Sequence, residues 1–262
     1  MARRERSQNS ADKISGVRSI CFINPRDYLT LEPALDLPYH LLRAATAAKN
    51  AGMDVKIIDL NHDDEIPDDF DAYGITGVTC QHRAIINIAI DIRQRRPDAL
   101  LILGGRHAPF IDEGIDLFDI IWTGKAEELF RAPERPVDYS LIDWRRYGRE
   151  VDGRKSVIVM FSEGCPFSCN FCYNAYRDFR VIDRSCAEKE LSQIDDDAAI
   201  FVADDFFSLK THGHILDLLK GVDGGSCRMQ RKSRETRRFS SNMAQNLSTS
   251  GRNPDRAICF TK

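Results

Sequence analysis

No run of this 262-residue chain approaches the roughly 18 consecutive apolar residues needed to cross a bilayer, which argues against a helical membrane span. The charged opening MARRERSQNSADK has no apolar segment behind it, so it does not read as a secretory leader. Charge of one sign is also lacking. The chain carries 37 Lys+Arg against 40 Asp+Glu, a net charge of −3, and so has no basic footprint for nucleic acid. These absences predict a cytoplasmic protein with neither a membrane nor a nucleic acid as partner.

What is present is ordinary in bulk and unusual in one place. Hydrophobic residues make up 42% and charged residues 29%, a globular composition, and the length suits one large domain or two of common size. Eight cysteines without an export signal point to reduced thiols serving a metal rather than to disulfides.

From Arg18 to about Phe130 short apolar runs alternate with amphipathic stretches. SICFIN, MDVKIIDL, AYGITGVT, ALLILGG and DIIWTG read as strands. Helices are expected over Pro38–Ala51, closed by Gly52, and over Arg83–Arg96, stopped by Pro97. A short helix is expected over Phe110–Phe118 and a final turn over Ala126–Arg131. Strands apolar along their whole length and joined by helices imply a doubly wound parallel sheet. Ligands bind such sheets beyond the carboxyl ends of the strands, which marks Asn24, Thr79 to His82 and Gly104 to His107 as the rim.

Residues 132–155, with prolines, many charges and no sustained period, read as a linker. A second β-α series follows. SVIVMF is a strand, SCAEKELSQI a helix with Ser185 and Glu188 spaced as a capping box, AAIFVADD a strand, and Leu209–Lys220 a helix. From Val222 the chain turns basic and Ser-rich and loses all period, so residues 222–262 are expected to be disordered or read out of frame. Residues 1–17 are expected as a disordered lead-in.

Between SVIVMF and the next helix stands SEGCPFSCNFCYN, in which Cys165, Cys169 and Cys172 form C-x3-C-x2-C. One preset triplet spacing arises by chance in about 0.7% of chains of this composition, so chance is a poor account. Thiolates ligate zinc or iron-sulfur clusters, and both want four ligands. Either a fourth ligand, most simply Cys186 or a distant histidine, closes a structural zinc site, or the fourth metal position stays open for a substrate or cofactor.

CPFSCNFCY resembles the signature of the radical S-adenosylmethionine (SAM) superfamily, with the aromatic Phe171 just before the last cysteine. The resemblance implies that Cys165, Cys169 and Cys172 hold a [4Fe-4S] cluster. SAM would chelate its open iron, and a donor such as flavodoxin or ferredoxin would supply the electron that cleaves SAM to a 5′-deoxyadenosyl radical. It also implies that the loop follows the first strand of a partial (β/α) barrel. VADDFF resembles the second-strand motif of the cobalamin-associated branch, which makes Asp204 and Asp205, with Phe171 and Tyr173 of the loop, the residues expected near SAM.

Residues 18–131 resemble the cobalamin-binding module of the same branch, through LPYHLLRAATAAKNAGMDVKIIDLN and the Gly-Gly-x-His of LILGGRHAP. The cobalamin-facing residues implied are Thr79, His82, Gly104, Gly105 and His107. Modules that coordinate cobalt from below use Asp-x-His-x-x-Gly after the first strand. Here NPRDYLTLEP stands instead, so a lower ligand would have to come from a loop such as Thr79 to His82, or be absent. The plan is thus an α/β chain with a Rossmann-like, B12-binding type sheet at 18–131 and a partial radical SAM barrel at 156–221. The expected chemistry is radical methyl transfer, rearrangement or cyclisation on an unknown small molecule. A six-unit barrel needs on the order of 150–200 residues, more than Ser156 to Lys262 supply, so an incomplete barrel is expected. The rival reading is a non-catalytic zinc- or cofactor-binding α/β protein.

Overall fold

The computed structural model describes residues 10, 12–62, 64–134, 136–151, 153–167, 169, 170, 172, 179–207, 212, 213, 215, 218 and 219. In chain order its elements are β1 (Ser19–Asn24), α1 (Tyr39–Asn50), β2 (Asp54–Asp59), β3 (Ala72–Thr76), α2 (His82–Arg95), β4 (Leu100–Gly104), β5 (Ile120–Ile121), α3 (Ala126–Phe130), β6 (Glu150–Val151), β7 (Arg154–Val159), β8 (Ser162–Glu163), β9 (Arg180–Val181), α4 (Arg184–Leu191) and β10 (Ala199–Val202). They fall into two compact units, Met1–Val157 with Lys189–Ile194, and Ile158–Glu188 with Asp195–Lys262.

In the first unit five strands form one sheet in the order β2-β1-β3-β4-β5, and every pair is parallel. The strands are apolar on both sides, and their period of two sends alternate residues to opposite faces. Cys21 and Ile23 of β1 join Tyr73, Ile75, Leu101 and Leu103 against Ile85, Ala89 and Ile92 of α2. Ile20 and Phe22 join Ala72 and Ile102 against Leu41, Ala45 and Ala48 of α1. One helix on each face makes the sheet doubly wound, and each fully buried Ile or Leu adds about 1.5–3 kcal/mol. Gly74 stands opposite Phe22 in register, and a β-carbon there would lie 2.9 Å from the Phe22 ring.

Helix α1 ends within a residue of its expected limit, and Gly52 follows it at φ +91. The helix expected over Phe110–Phe118 is instead two 3-10 turns, Ala108–Phe110 and Ile115–Leu117. Pro109 sits in the first turn and Gly114, at φ +75, opens the second, so no continuous ladder forms between them. The stretch expected as a linker is packed into the first unit up to Val157: Tyr139, Trp144 and Tyr147 are buried, and the Asp138 N–H donates to Thr46 Oγ1. Aromatic burial outweighs the charge and proline content from which a linker was read.

In the second unit β10 pairs with β7, and β8 pairs with β9 in antiparallel register. The expected capping box is replaced. Asp183 O starts α4 by accepting from Cys186 and Ala187, Ser185 lies inside the helix, and Glu188 takes Arg184 Nε at 2.9 Å. Of the helix expected over Leu209–Lys220, only His212, Gly213, Ile215, Leu218 and Leu219 are described, all helical. Phe171, Tyr173 and residues 222–262 lie outside the described residues. A barrel is not seen among those described. No helix among the described residues is long and apolar enough to cross a membrane.

Candidate functional site

The order β2-β1-β3-β4-β5 reverses between β1 and β3, and the crevice outside the carboxyl ends of those two strands is where such sheets bind ligands. The loops there are tied together by Gln81, a residue the sequence reading passed over except as part of the Thr79 to His82 segment. Its Oε1 accepts the Val78 N–H at 3.0 Å and its Nε2 donates to Pro25 O at 2.9 Å, so one buried amide joins the loop after β3 to the loop after β1.

The loop after β4 closes on the same place. Gly105 has φ +81, and a β-carbon on it would stand 2.3 Å from Thr76 Oγ1 and 3.0 Å from Gly77 N. Only glycine permits both that backbone angle and that approach. The approach lets His107 N–H donate to Gly77 O at 3.0 Å. Gly104 has open space at its α-carbon, and Thr79 is exposed.

Two expected residues, 25 apart in sequence, are thereby brought together. His82 Nδ1 and His107 Nε2 lie 2.8 Å apart with their rings edge to face. His107 is 3% exposed, and its Nδ1 is buried with no hydrogen-bond partner among the described residues. Burial, and secondarily the neighbouring His82, hold the His107 imidazole below its usual value, so it stays neutral. His82 opens α2 with a side chain about a quarter exposed, its Nε2 3.9 Å from Oε2 of the solvent-exposed Glu113. The loops after β1, β3 and β4 also expose large apolar side chains: Tyr28, Leu29, Leu31, Val78 and Phe110.

At the end of β2 the sequence reading missed Asp59, 3% exposed. Its Oδ1 accepts from Asn24 Nδ2 and from both the backbone and side-chain nitrogens of Asn61, and its Oδ2 accepts the Tyr147 hydroxyl at 2.8 Å. Burial and this carboxylate raise the Tyr147 phenol far above its usual value. A carboxylate so fully satisfied holds loops in place.

In the second unit the chain leaves β7 through Phe161 and enters β8, then Gly164 and the cysteine loop. Asp204, just past β10, is buried. Its Oδ1 accepts the Phe161 N–H at 2.7 Å, and its Oδ2 lies 3.2 Å from His212 Nε2. Ser162 Oγ donates to Phe206 O at 3.1 Å, and the Phe206 ring meets the edges of Phe167 and Phe179. The carboxylate that the sequence offers to SAM is thus engaged by the loop's own backbone, whereas Asp205 is half-buried.

Cys165, Cys169 and Cys172 are free thiols, the first two half-buried and the third exposed, with a turn closed by Cys172 N–H donating to Cys169 O at 3.0 Å. Cys186 is half-buried and forms no disulfide. Among the described residues no three His, Cys, Asp or Glu side chains converge to hold a metal ion. The donor set itself suits an iron-sulfur cluster: three soft thiols within eight residues, none spent on a disulfide.

No family model matches the chain. Among curated proteins it is 27% identical over 168 residues to bacteriochlorophyllide d C-8(2)-methyltransferase of Chlorobaculum tepidum, covering 53% of this chain and 37% of that one. It is 26% identical over 144 residues to the anaerobic magnesium-protoporphyrin IX monomethyl ester cyclase of Cereibacter sphaeroides, covering 37% and 24%. The chain therefore spans about a third or less of the length of these relatives. Among solved structures it is similar to the cobalamin-dependent S-adenosylmethionine radical enzyme OxsB with aqua-cobalamin and S-adenosylmethionine bound. The TM-score is 0.54 at 15% identity, over 80% of this chain and 37% of that one, a likeness of fold. The chain is thus similar in sequence to a methyltransferase and a cyclase, and similar in fold to a cobalamin-dependent S-adenosylmethionine radical enzyme.

Proposed function

We propose that the chain forms the cobalamin-binding unit and the cluster-binding start of a radical SAM enzyme that methylates or cyclises a small molecule. The observation that carries this is the cysteine loop: three free thiols follow β7 and the short β8, with the entry to the loop held by Asp204 and Phe206. The relatives' names, two of them for tetrapyrrole methylation or cyclisation, support the reaction class and make a tetrapyrrole the first substrate to test.

In this reading Cys165, Cys169 and Cys172 hold the [4Fe-4S] cluster. The resemblance assigns Asp205, Phe171 and Tyr173 to SAM, and Asp204 holds the backbone at Phe161 where the chain leaves β7. When bound, the cluster supplies the electron that opens SAM to a carbon radical, received from a flavodoxin- or ferredoxin-like donor. In the first unit Gly104, Gly105 and the apolar loop residues offer an open face for the corrin ring, and Thr79, His82 and His107 lie on the loops that border it. Gly105 supports this fit, because a β-carbon there would close the contact between the loops after β3 and β4.

Anaerobic reconstitution of the full chain with iron and sulfide, followed by metal analysis, tests the reading. A brown protein with four irons per chain is expected, and the triple variant Cys165→Ala/Cys169→Ala/Cys172→Ala should hold none. Colourless protein that retains one zinc would move the thiols to a structural metal site and overturn the cluster.

A further inference from the structure

Resting on the cobalamin reading above, we infer that His82 Nε2 is the lower axial ligand of the cobalt and that His107 positions it. The first strand-helix connection holds no histidine, which leaves the loops after β3 and β4 as the places from which an imidazole can reach this crevice. His82 stands at the start of α2, beside the β1/β3 switch point, its side chain about a quarter exposed and its Nε2 3.9 Å from Oε2 of the exposed Glu113.

The other ring nitrogen decides the chemistry. A histidine that ligates through Nε2 keeps its proton on Nδ1 and needs an acceptor there. His82 Nδ1 has one, His107 Nε2 at 2.8 Å. His107 is suited to accept, because it is buried and its ring is edge to face with that of His82. With Nε2 accepting, its own proton lies on Nδ1, the atom without a partner among the described residues. The acceptor is itself fixed: its N–H is held by Gly77 O, and its place in the loop depends on the close approach at Gly105. A surface histidine with no further role would not need a second, fully buried histidine behind it.

The test loads the full chain, grown with 15N-histidine, with hydroxocobalamin, reduces it to cob(II)alamin and records the EPR spectrum. Ligation by His82 predicts that the nitrogen splitting of the high-field lines changes from triplets in unlabelled protein to doublets in labelled protein. His82→Ala should abolish the doublets and weaken cobalamin retention by roughly 10–100-fold. His107→Gln, which keeps an acceptor for Nδ1–H, should retain them, and His107→Leu should lose them. Retained cobalamin whose triplets ignore the label, or which shows no nitrogen splitting, overturns the histidine ligand while leaving cobalamin binding intact. Failure to retain cobalamin at all overturns both.

Discussion

Asp204 and Phe161 stand 43 residues apart and meet through one short hydrogen bond, the Phe161 N–H donating to Asp204 Oδ1 at 2.7 Å inside the second unit. The bond ties the exit of β7, where the cysteine loop begins, to the exit of β10. A buried amide left without its acceptor costs about 1–3 kcal/mol. Asp204→Ala should therefore lower stability toward urea by about that amount and reduce the iron incorporated per chain, whereas Asp204→Asn, which keeps an acceptor oxygen, should incorporate iron nearly as the parent does. Equal iron content in Asp204→Ala and the parent would show that the cysteine loop does not depend on this bond.

Gly105→Ala combines an unfavourable left-handed backbone with a β-carbon 2.3 Å from Thr76 Oγ1. Left-handed strain alone costs on the order of 1–3 kcal/mol. Chemical denaturation should show a loss at the upper end of that range, and cobalamin titration should show weaker binding than in Gly104→Ala, whose added methyl meets open space. A Gly105→Ala protein as stable as the parent would contradict the close approach of these loops.

Cys21, in the middle of β1, has its thiol pushed up to about 12 by burial, which outweighs the opposing pull of Lys56. The thiolate is the reactive form, so native alkylation at pH 8 should leave Cys21 untouched while the exposed Cys80 reacts. Peptide mass mapping after brief iodoacetamide treatment reads this directly, and adding denaturant should make Cys21 reactive.

Asp71 anchors the start of β1, accepting the N–H groups of Arg18 at 2.9 Å and Ser19 at 3.1 Å. The Arg18 amide first, aided by the amide and hydroxyl of Ser19, holds its carboxyl below the ordinary range against the opposing effect of burial. A carboxylate depressed on folding contributes stability above its unfolded value, about 3.9, and loses it as pH falls through the lower folded value. Between about pH 4 and that lower value the parent should lose stability more steeply than Asp71→Asn. Parallel melting curves across this window would remove Asp71 from acid unfolding.

Much of the fold was legible because it is written locally. The short continuous apolar runs of SICFIN and ALLILGG, and the apolar stripe of Ile85, Ile88, Ala89 and Ile92, each specify an element within one short window. The cysteine spacing is local too, and it carried the family. The helix expected at Phe110–Phe118 failed because Pro109 and Gly114 each break a continuous ladder, an effect stronger than its apolar content. The same weighing failed at 132–155, where Tyr139, Trp144 and Tyr147 find buried places that no local pattern announces.

The sequence by itself determined the five strands and two long helices of the first unit, and the clustering of three thiols within eight residues, since each depends on neighbours a few residues away. Tertiary structure alone decided the strand order that opens a crevice between β1 and β3, the engagement of Asp204 by Phe161, and the pairing of His82 with His107. Those relationships join residues far apart in the chain. They come from packing two faces of one sheet and from satisfying each buried polar group, and neither constraint leaves a mark at a fixed spacing in the sequence.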